Sequence, residues 1–172
     1  RSFRPVPLAE AVCRGRQRPL VRQSDRQIHW RDDPTPTVLR KIRSADGFPG
    51  AKTELAGREL QVFDARPASG YSGTPGELVA VSGPAVAVAT ADGAVWIGHC
   101  TDRESAHPFK LPASLVLAEE TLALPAVAQT NAAGYRDIVV ARQGDVAVIE
   151  FDFYNGAMGT EQCERLRETY VD

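Results

Sequence analysis

Cysteine is scarce in this chain. Cys13, Cys100 and Cys163 are spread over 172 residues. Their spacing excludes a Cys-x-x-Cys metal or redox site. A sparse, odd set reads as reduced thiols in a cytoplasmic protein, with the side chains acting as small hydrophobes. Long apolar runs are missing too, and nothing approaches the ~20 residues that a membrane-spanning helix needs. The opening RSFRPVPLAEAV has no continuous apolar stretch, which argues against a signal peptide. There is no initiator methionine, which points to a processed chain or an excised piece.

What is present fits a globular chain of one or two small domains, with 43% hydrophobic and 24% charged residues. The net charge of −2 hides a division. Residues 1–43 carry eleven basic and four acidic side chains, a local charge of +7. Residues 44–172 carry nine basic and eighteen acidic ones, a local charge of −9. Such asymmetry points to an anionic partner for the basic end, or to docking of one end on the other.

Residues 1–27 are rich in arginine, with Pro5, Pro7 and Pro19, and read as an extended linker with one short helix over 8–13. Residues 34–47 carry a clear helix signal. Thr35 or Thr37 can cap it, and Pro36 suits the first turn. Val38, Ile42 and Ala45 share one face with Leu39 beside them, and Gly47 closes the helix. From 59 to 118 the period becomes strand-like. Strands are expected at 59–65, 77–81, 85–90, 94–99 and about 109–117, separated by Gly-bearing turns. That pattern predicts a small antiparallel barrel or sandwich. Pro112 marks the last run as an edge or broken strand. Trp30, Phe48 and Trp96 are expected as core anchors.

Residues 119–137 read as a connection, with a domain boundary near 131–134. A hairpin follows over 138–142 and 146–153. Thr160 then caps a helix to about residue 171, with Cys163, Leu166 and Tyr170 on one face. A hairpin and one helix bury too little apolar surface to stand alone.

The run Ile28-His29-Trp30, then the helix, then Ile42-Arg43-Ser44-Ala45-Asp46-Gly47-Phe48-Pro49-Gly50-Ala51 resembles the start of a formyltransferase C-terminal domain. Residues 138–172 resemble the opening of the enoyl-CoA hydratase/isomerase (crotonase) family, whose strand-to-helix loop would be Asn155-Gly156-Ala157-Met158-Gly159-Thr160. The phrases RPLVRQSDRQIHW, LRKIRSADGFPG, DGAVWIGH, HPFKLPA and FDFYNGAM together resemble the HypX/HoxX-type proteins of nickel–iron hydrogenase maturation. The resemblance implies a mainly β fold with α: a small open OB-like barrel preceded by a helix, then the hairpin and helix of an incomplete crotonase-like module. The corresponding divisions are an Arg-rich linker (1–27), a barrel domain (28–125), a linker (126–137) and the crotonase-like piece (138–172).

That family is implied to make carbon monoxide for the hydrogenase active site. A formyl group would pass from formyltetrahydrofolate, held in an N-terminal module, to coenzyme A, and a crotonase-like module would release CO from formyl-CoA. The formyl-transfer Asn, His and Asp belong to the N-terminal module. His29, His99 and His107 have no matching context, so no catalytic residue and no metal site is expected here. The implied partners are the chain's own N-terminal formyltransferase and C-terminal crotonase-like modules.

Coenzyme A is the candidate ligand. Arg14, Arg16, Arg18, Arg22 and Arg26 lie within thirteen residues, and guanidinium suits phosphate. Arg18, Arg22, Gln23, Ser24 and Arg26 form the first candidate site. The alternative is a solvated linker, or one docked on the acidic barrel. The second candidate is Asn155, Gly156, Ala157 and Met158, where Gly156 permits close approach; its alternative is a plain strand-to-helix turn. A nucleic-acid or tRNA-binding OB-like module is the competing reading of the barrel. Residues 44–125 hold five basic and ten acidic side chains, which is the wrong sign for a phosphate-tracking groove.

Overall fold

The computed structural model describes residues 4–7, 15–16, 18–106, 108–156 and 158–171. The helix expected over 8–13 lies outside them, as do Arg14, Ala157 and His107. Helix α1 (Thr35–Arg43) precedes strands β1 (Ala51–Leu55), β2 (Arg58–Pro67), β3 (Leu78–Ser82), β4 (Ala85–Ala89), β5 (Ala94–Asp102) and β6 (Leu111–Pro112). Two single-turn helices, α2 (Ala113–Val116) and α3 (Ala118–Thr121), lead to the hairpin β7 (Ile138–Gln143) and β8 (Val146–Phe151), and then to α4 (Thr160–Val171).

The large sheet is antiparallel, in the order β1-β2-β5-β4-β3, with β6 paired to β5. It stays open, since β1 and β3 do not pair with each other. Its edges are nonetheless partly covered. Ile28 N–H donates to the Lys52 carbonyl on β1, and Val81 on β3 exchanges backbone bonds with Pro125 and Val127. Covered edges leave little template for pairing with another chain.

Helix α1 buries Val38 and Ile42 fully, with Leu39, against β2 and β5, and Ala45 is buried just past its end. This is the face expected from the sequence. Its ends differ from expectation. Pro34 stands at the N-cap with no side-chain acceptor, and Asp92 Oδ1 accepts the Thr35 N–H at 2.7 Å instead. Neither Thr35 nor Thr37 caps, because an acidic turn between β4 and β5 already supplies the acceptor. The helix ends at Arg43 with Ser44 in right-handed geometry, so Gly47 does not close it. The left-handed glycine is Gly50 (φ 87°), where a Cβ would meet the Phe63 ring at 2.5 Å.

Two cores flank the sheet. Val86, Val88, Val95 and Ile97 face α1 along with Trp30, whose Nε1–H donates to Thr53 Oγ1 at 2.8 Å. On the other side Ala80, Ala85, Ala87, Ala94, Trp96 and Tyr135 pack together. Strand β4 is buried on both faces, as its uninterrupted AVAVA reads. Small residues let the 125–135 connection lie close. A Cβ on Gly134 would sit 2.4 Å from the Ala128 carbonyl oxygen.

Strand β1 precedes the strand run expected from residue 59, which leaves it out because AKTEL is short and half polar. Two further expectations fail. The 109–117 run is only two residues of strand, after which Pro112 opens α2. Phe48 is 89% exposed and anchors no core.

Candidate functional site

The first candidate segment is a single 3₁₀ turn over Gln23–Arg26. Asp25 Oδ2 accepts the Arg22 N–H at 2.7 Å and closes that turn. Arg18 and Arg22 are exposed, and so is Ser24. Gln23 faces inward, its Nε2–H donating to the Gly50 carbonyl at 3.0 Å. Arg26 is half-buried beside Gln23 Oε1, and its Nε–H has no partner among the described residues. The turn is thereby fixed on the loop that follows α1, with guanidinium donors left over.

The second candidate segment begins at a 3₁₀ turn, Tyr154–Gly156. Asn155 (φ 57°) and Gly156 (φ 68°) are both left-handed. Nothing lies within 4 Å of a would-be Cβ on Gly156, so its glycine answers a backbone requirement rather than crowding. Met158 is half-exposed. It lines a groove of about 620 Å³ between β8 and α4 with Ile149, Phe151, Cys163, Leu166 and Tyr170. Thr160 is not the cap of α4. The Gly159 carbonyl accepts the first helical bond from Cys163, and Gln162 Oε1 takes the Gly159 N–H at 2.7 Å. Gly159 therefore holds the N-cap position, with Gln162 as the returning half of a capping box.

The two segments share a support. Tyr154 Oη–H donates to the Asp46 carbonyl at 2.6 Å, four residues before the Gly50 carbonyl that Gln23 holds. Lys110 Nζ donates to the Gly47 carbonyl at 3.1 Å and to Tyr154 Oη at 2.7 Å. It lies 3.8 Å from the Phe63 ring centroid and 5.0 Å from that of Tyr154. Burial holds the Lys110 ammonium below its ordinary value, against the pull of Asp46. Arm and turn thus fasten to opposite ends of one loop, residues 46–50.

Beneath that loop lies a polar cluster that sequence reasoning missed. Asp64 sits in β2 with φ 58° and a side chain 8% exposed. Its N–H leaves the strand ladder for Asp46 Oδ1 at 2.5 Å. Its carboxylate accepts from Tyr135 Oη at 2.5 Å and from His99 Nδ1 at 3.1 Å, with Arg66 Nε at 3.7 Å. A carboxylate only accepts, so Nδ1 carries the proton. Burial opposes ionisation of Asp64, but the bonds from His99 and Tyr135 and the charge of Arg66 outweigh it and hold the carboxyl below its usual range. Asp46 goes the other way, raised by burial and by the neighbouring Asp64 charge. Burial also pushes the Tyr135 and Tyr154 hydroxyls well above their ordinary values. Gly98 makes room, since a Cβ there would meet Asp64 Oδ2 at 2.1 Å. The one sequence signal was an Asp within the apolar run LQVFDA. Its hydrogen-bond partners lie 18 to 71 residues away in sequence.

The cluster reaches the C-terminal unit by three routes. The His99 ring stacks on Tyr154 at 4.4 Å and 25°. Arg66 donates to the Arg136 carbonyl at 2.7 Å and to the Asp152 carbonyl at 3.1 Å, and lies over the Tyr135 ring. Asp137, buried two residues beyond Tyr135, takes a two-pronged bond from Arg165 of α4, both contacts 2.7 Å. Asp64 borders a cleft of about 440 Å³ with Arg43, Asp46, Arg66 and Asp152. Among the described residues, no group of three or more His, Cys, Asp or Glu side chains could hold a metal, and no helix is long and apolar enough to cross a membrane.

Residues 20–107 match the family described as formyl transferase, C-terminal domain. A hydrogenase maturation factor HoxX from Bradyrhizobium diazoefficiens is 45% identical over 96% of this chain, which spans 29% of that relative. A methionyl-tRNA formyltransferase from Variovorax paradoxus is 39% identical over 44% of the chain and 24% of its own length. The crystal structure of HypX from Aquifex aeolicus in complex with tetrahydrofolic acid superposes with a TM-score of 0.81 at 38% identity, over 90% of this chain and 28% of that one. The chain thus spans under a third of these relatives. It belongs to the formyl transferase C-terminal domain family, and over nearly its whole length it is similar to part of the HypX and HoxX hydrogenase maturation proteins.

Proposed function

We propose that this segment orients two catalytic modules of a cytoplasmic protein that makes carbon monoxide from formyltetrahydrofolate by way of formyl-CoA, and that it contacts coenzyme A itself. Folate would occupy the formyltransferase module preceding this segment; tetrahydrofolic acid is the ligand named for the HypX relative. The crotonase-like module would continue from α4. The CoA contacts would come from Arg18, Arg22, Gln23, Ser24 and Arg26 on one side and from the Asn155–Met158 turn on the other, Ala157 lying outside the described residues.

The observation that carries this reading is the shared loop. A cationic arm with spare guanidinium donors and a turn with two left-handed residues are fastened to the Asp46 and Gly50 carbonyls, a few residues apart. Guanidinium groups grip phosphates with paired donors. A turn without a side chain at Gly156 leaves backbone groups open to an extended ligand. Neither half-reaction is assigned to residues of this segment.

Calorimetric titration of coenzyme A and dephospho-CoA into the whole protein tests the reading. Arg22→Ala and Arg26→Ala should each weaken CoA by ~1–3 kcal/mol, the scale of a charge-assisted hydrogen bond. Unchanged titrations in both variants would remove the arm from the site.

A further inference from the structure

The Asn155–Gly156 turn is held mostly from outside itself. Its only internal backbone bond among those described is Gly156 N–H to the Phe153 carbonyl, at 2.8 Å. Tyr154 is the residue through which the sheet domain holds it. The Tyr154 hydroxyl donates to the Asp46 carbonyl and accepts from Lys110, while the ring stacks on His99. His99 is in turn fixed by Asp64, which Tyr135 and Arg66 hold in place. Lys110 has no carboxylate within ion-pair distance among the described residues. Its charge is met by two carbonyl or hydroxyl oxygens and two aromatic faces. That geometry constrains direction as well as distance, because a ring face and a single oxygen accept an ammonium from few angles.

We infer that Tyr154, with His99 and Lys110 behind it, is a positioning residue for the ligand turn. The sheet domain sets where Asn155 and Gly156 stand, and therefore how the turn meets the acyl carrier. This rests on the reading that the turn contacts coenzyme A. The division of labour is specific. The two hydroxyl bonds fix the height of Tyr154 over the 46–50 loop, and the stack on His99 fixes its tilt. Towards Tyr154 the His99–Asp64 bond acts by orienting the imidazole, so a phenyl ring at position 99 should keep the stack and most of the effect on the turn, though Asp64 loses a donor.

The test uses the whole protein with two readouts, amide exchange by mass spectrometry and calorimetric titration of coenzyme A. Three variants are compared: Tyr154→Phe, His99→Ala and His99→Phe. In Tyr154→Phe and His99→Ala, exchange over residues 153–156 should rise about tenfold while β4 keeps its protection, since only local contacts are lost. Both variants should bind coenzyme A roughly five- to tenfold more weakly. His99→Phe should stay within about twofold of wild type in both readouts. Unchanged exchange at 153–156 in the first two variants overturns the inference. So does raised exchange with unchanged CoA affinity, because the turn would then be held without presenting ligand. If wild type does not bind coenzyme A while exchange responds as expected, the hold on the turn is supported and the CoA reading falls.

Discussion

Strand β4 is buried along its whole length, whereas β7, β8 and α4 contain no buried residue at all. One chain thus holds two kinds of folded unit. The sheet domain has two apolar cores and needs no partner to explain its burial. The hairpin and α4 leave Val140, Val146, Phe151, Met158, Tyr170 and Val171 half or more exposed. Directional contacts fasten that unit to the rest, through Arg66, the Asp137–Arg165 pair and Tyr154, and Phe153 at the end of the hairpin is its one buried apolar side chain among the described residues. Apolar burial makes the first unit stable, while directional bonds set the place of the second.

The largest effect should come from the core of the first unit. Ile42 is fully buried between α1 and the sheet. Ile42→Ala removes that packing and should cost about 4 kcal/mol in chemical denaturation, within the range for buried Ile to Ala. The contrast between the units breaks if the loss is below about 1 kcal/mol, or if exchange in β7 and β8 rises while the large sheet stays protected.

A somewhat smaller loss is expected from Arg165→Ala, about 3 kcal/mol, because it strands a buried carboxylate. Among the described residues, the Asp137 carboxylate would keep only Gln129 Nε2, at 3.2 Å. The effect should be local, with α4 losing protection first. A uniform loss across the whole protein would mean the two units share one cooperative core.

The acid limb probes the joint between them. Asp64 has a depressed pKa in the folded state, so its contribution to stability is present above the unfolded value of 3.8 and is lost as pH falls through the lower folded value. Asp46 has the opposite sign: raised in the folded state, it favours folding most below 3.8 and opposes it as pH rises through its folded value. Melting temperature followed from pH 6 downward should therefore fall less steeply in Asp64→Asn than in wild type. Parallel curves would deny Asp64 its ionised role.

Which of these features the sequence displayed depended on distance along the chain. The face of α1, the central strands, the hairpin and α4 rest on periodicity within a dozen residues, and all were legible. Strand β1 was not, since AKTEL owes its strand to pairing with β2 rather than to its own pattern. The cap on α1 came from Asp92, 57 residues away. Asp64, His99, Tyr135 and Tyr154 meet only because a left-handed residue in β2, a glycine in β5 and the return of the chain after α3 coincide. Of those, only the Asp inside LQVFDA and the isolated Gly98 in β5 leave a local mark, and neither names its partner. Phe48 misled for a related reason, because a large aromatic beside Pro49 reads as core until the loop is seen to point outward.

The smallest expected effect sharpens the comparison most. Lys52–Glu59 is an ion pair at 2.9 Å on the sheet domain, with side chains 48% and 56% exposed. By distance it matches Arg165–Asp137 at 2.7 Å, where Asp137 is 2% exposed. Water screens the first pair and both ions stay hydrated when it breaks, so Lys52→Ala should change stability by no more than about 0.5 kcal/mol. Arg165→Ala leaves an anion that water cannot reach, and its effect should be several times larger. Measuring both in the same protein holds all else fixed. Equal losses would mean that separation rather than burial sets the strength of these pairs, and the polar attachment of the C-terminal unit would then rest on Arg66 and Tyr154 alone.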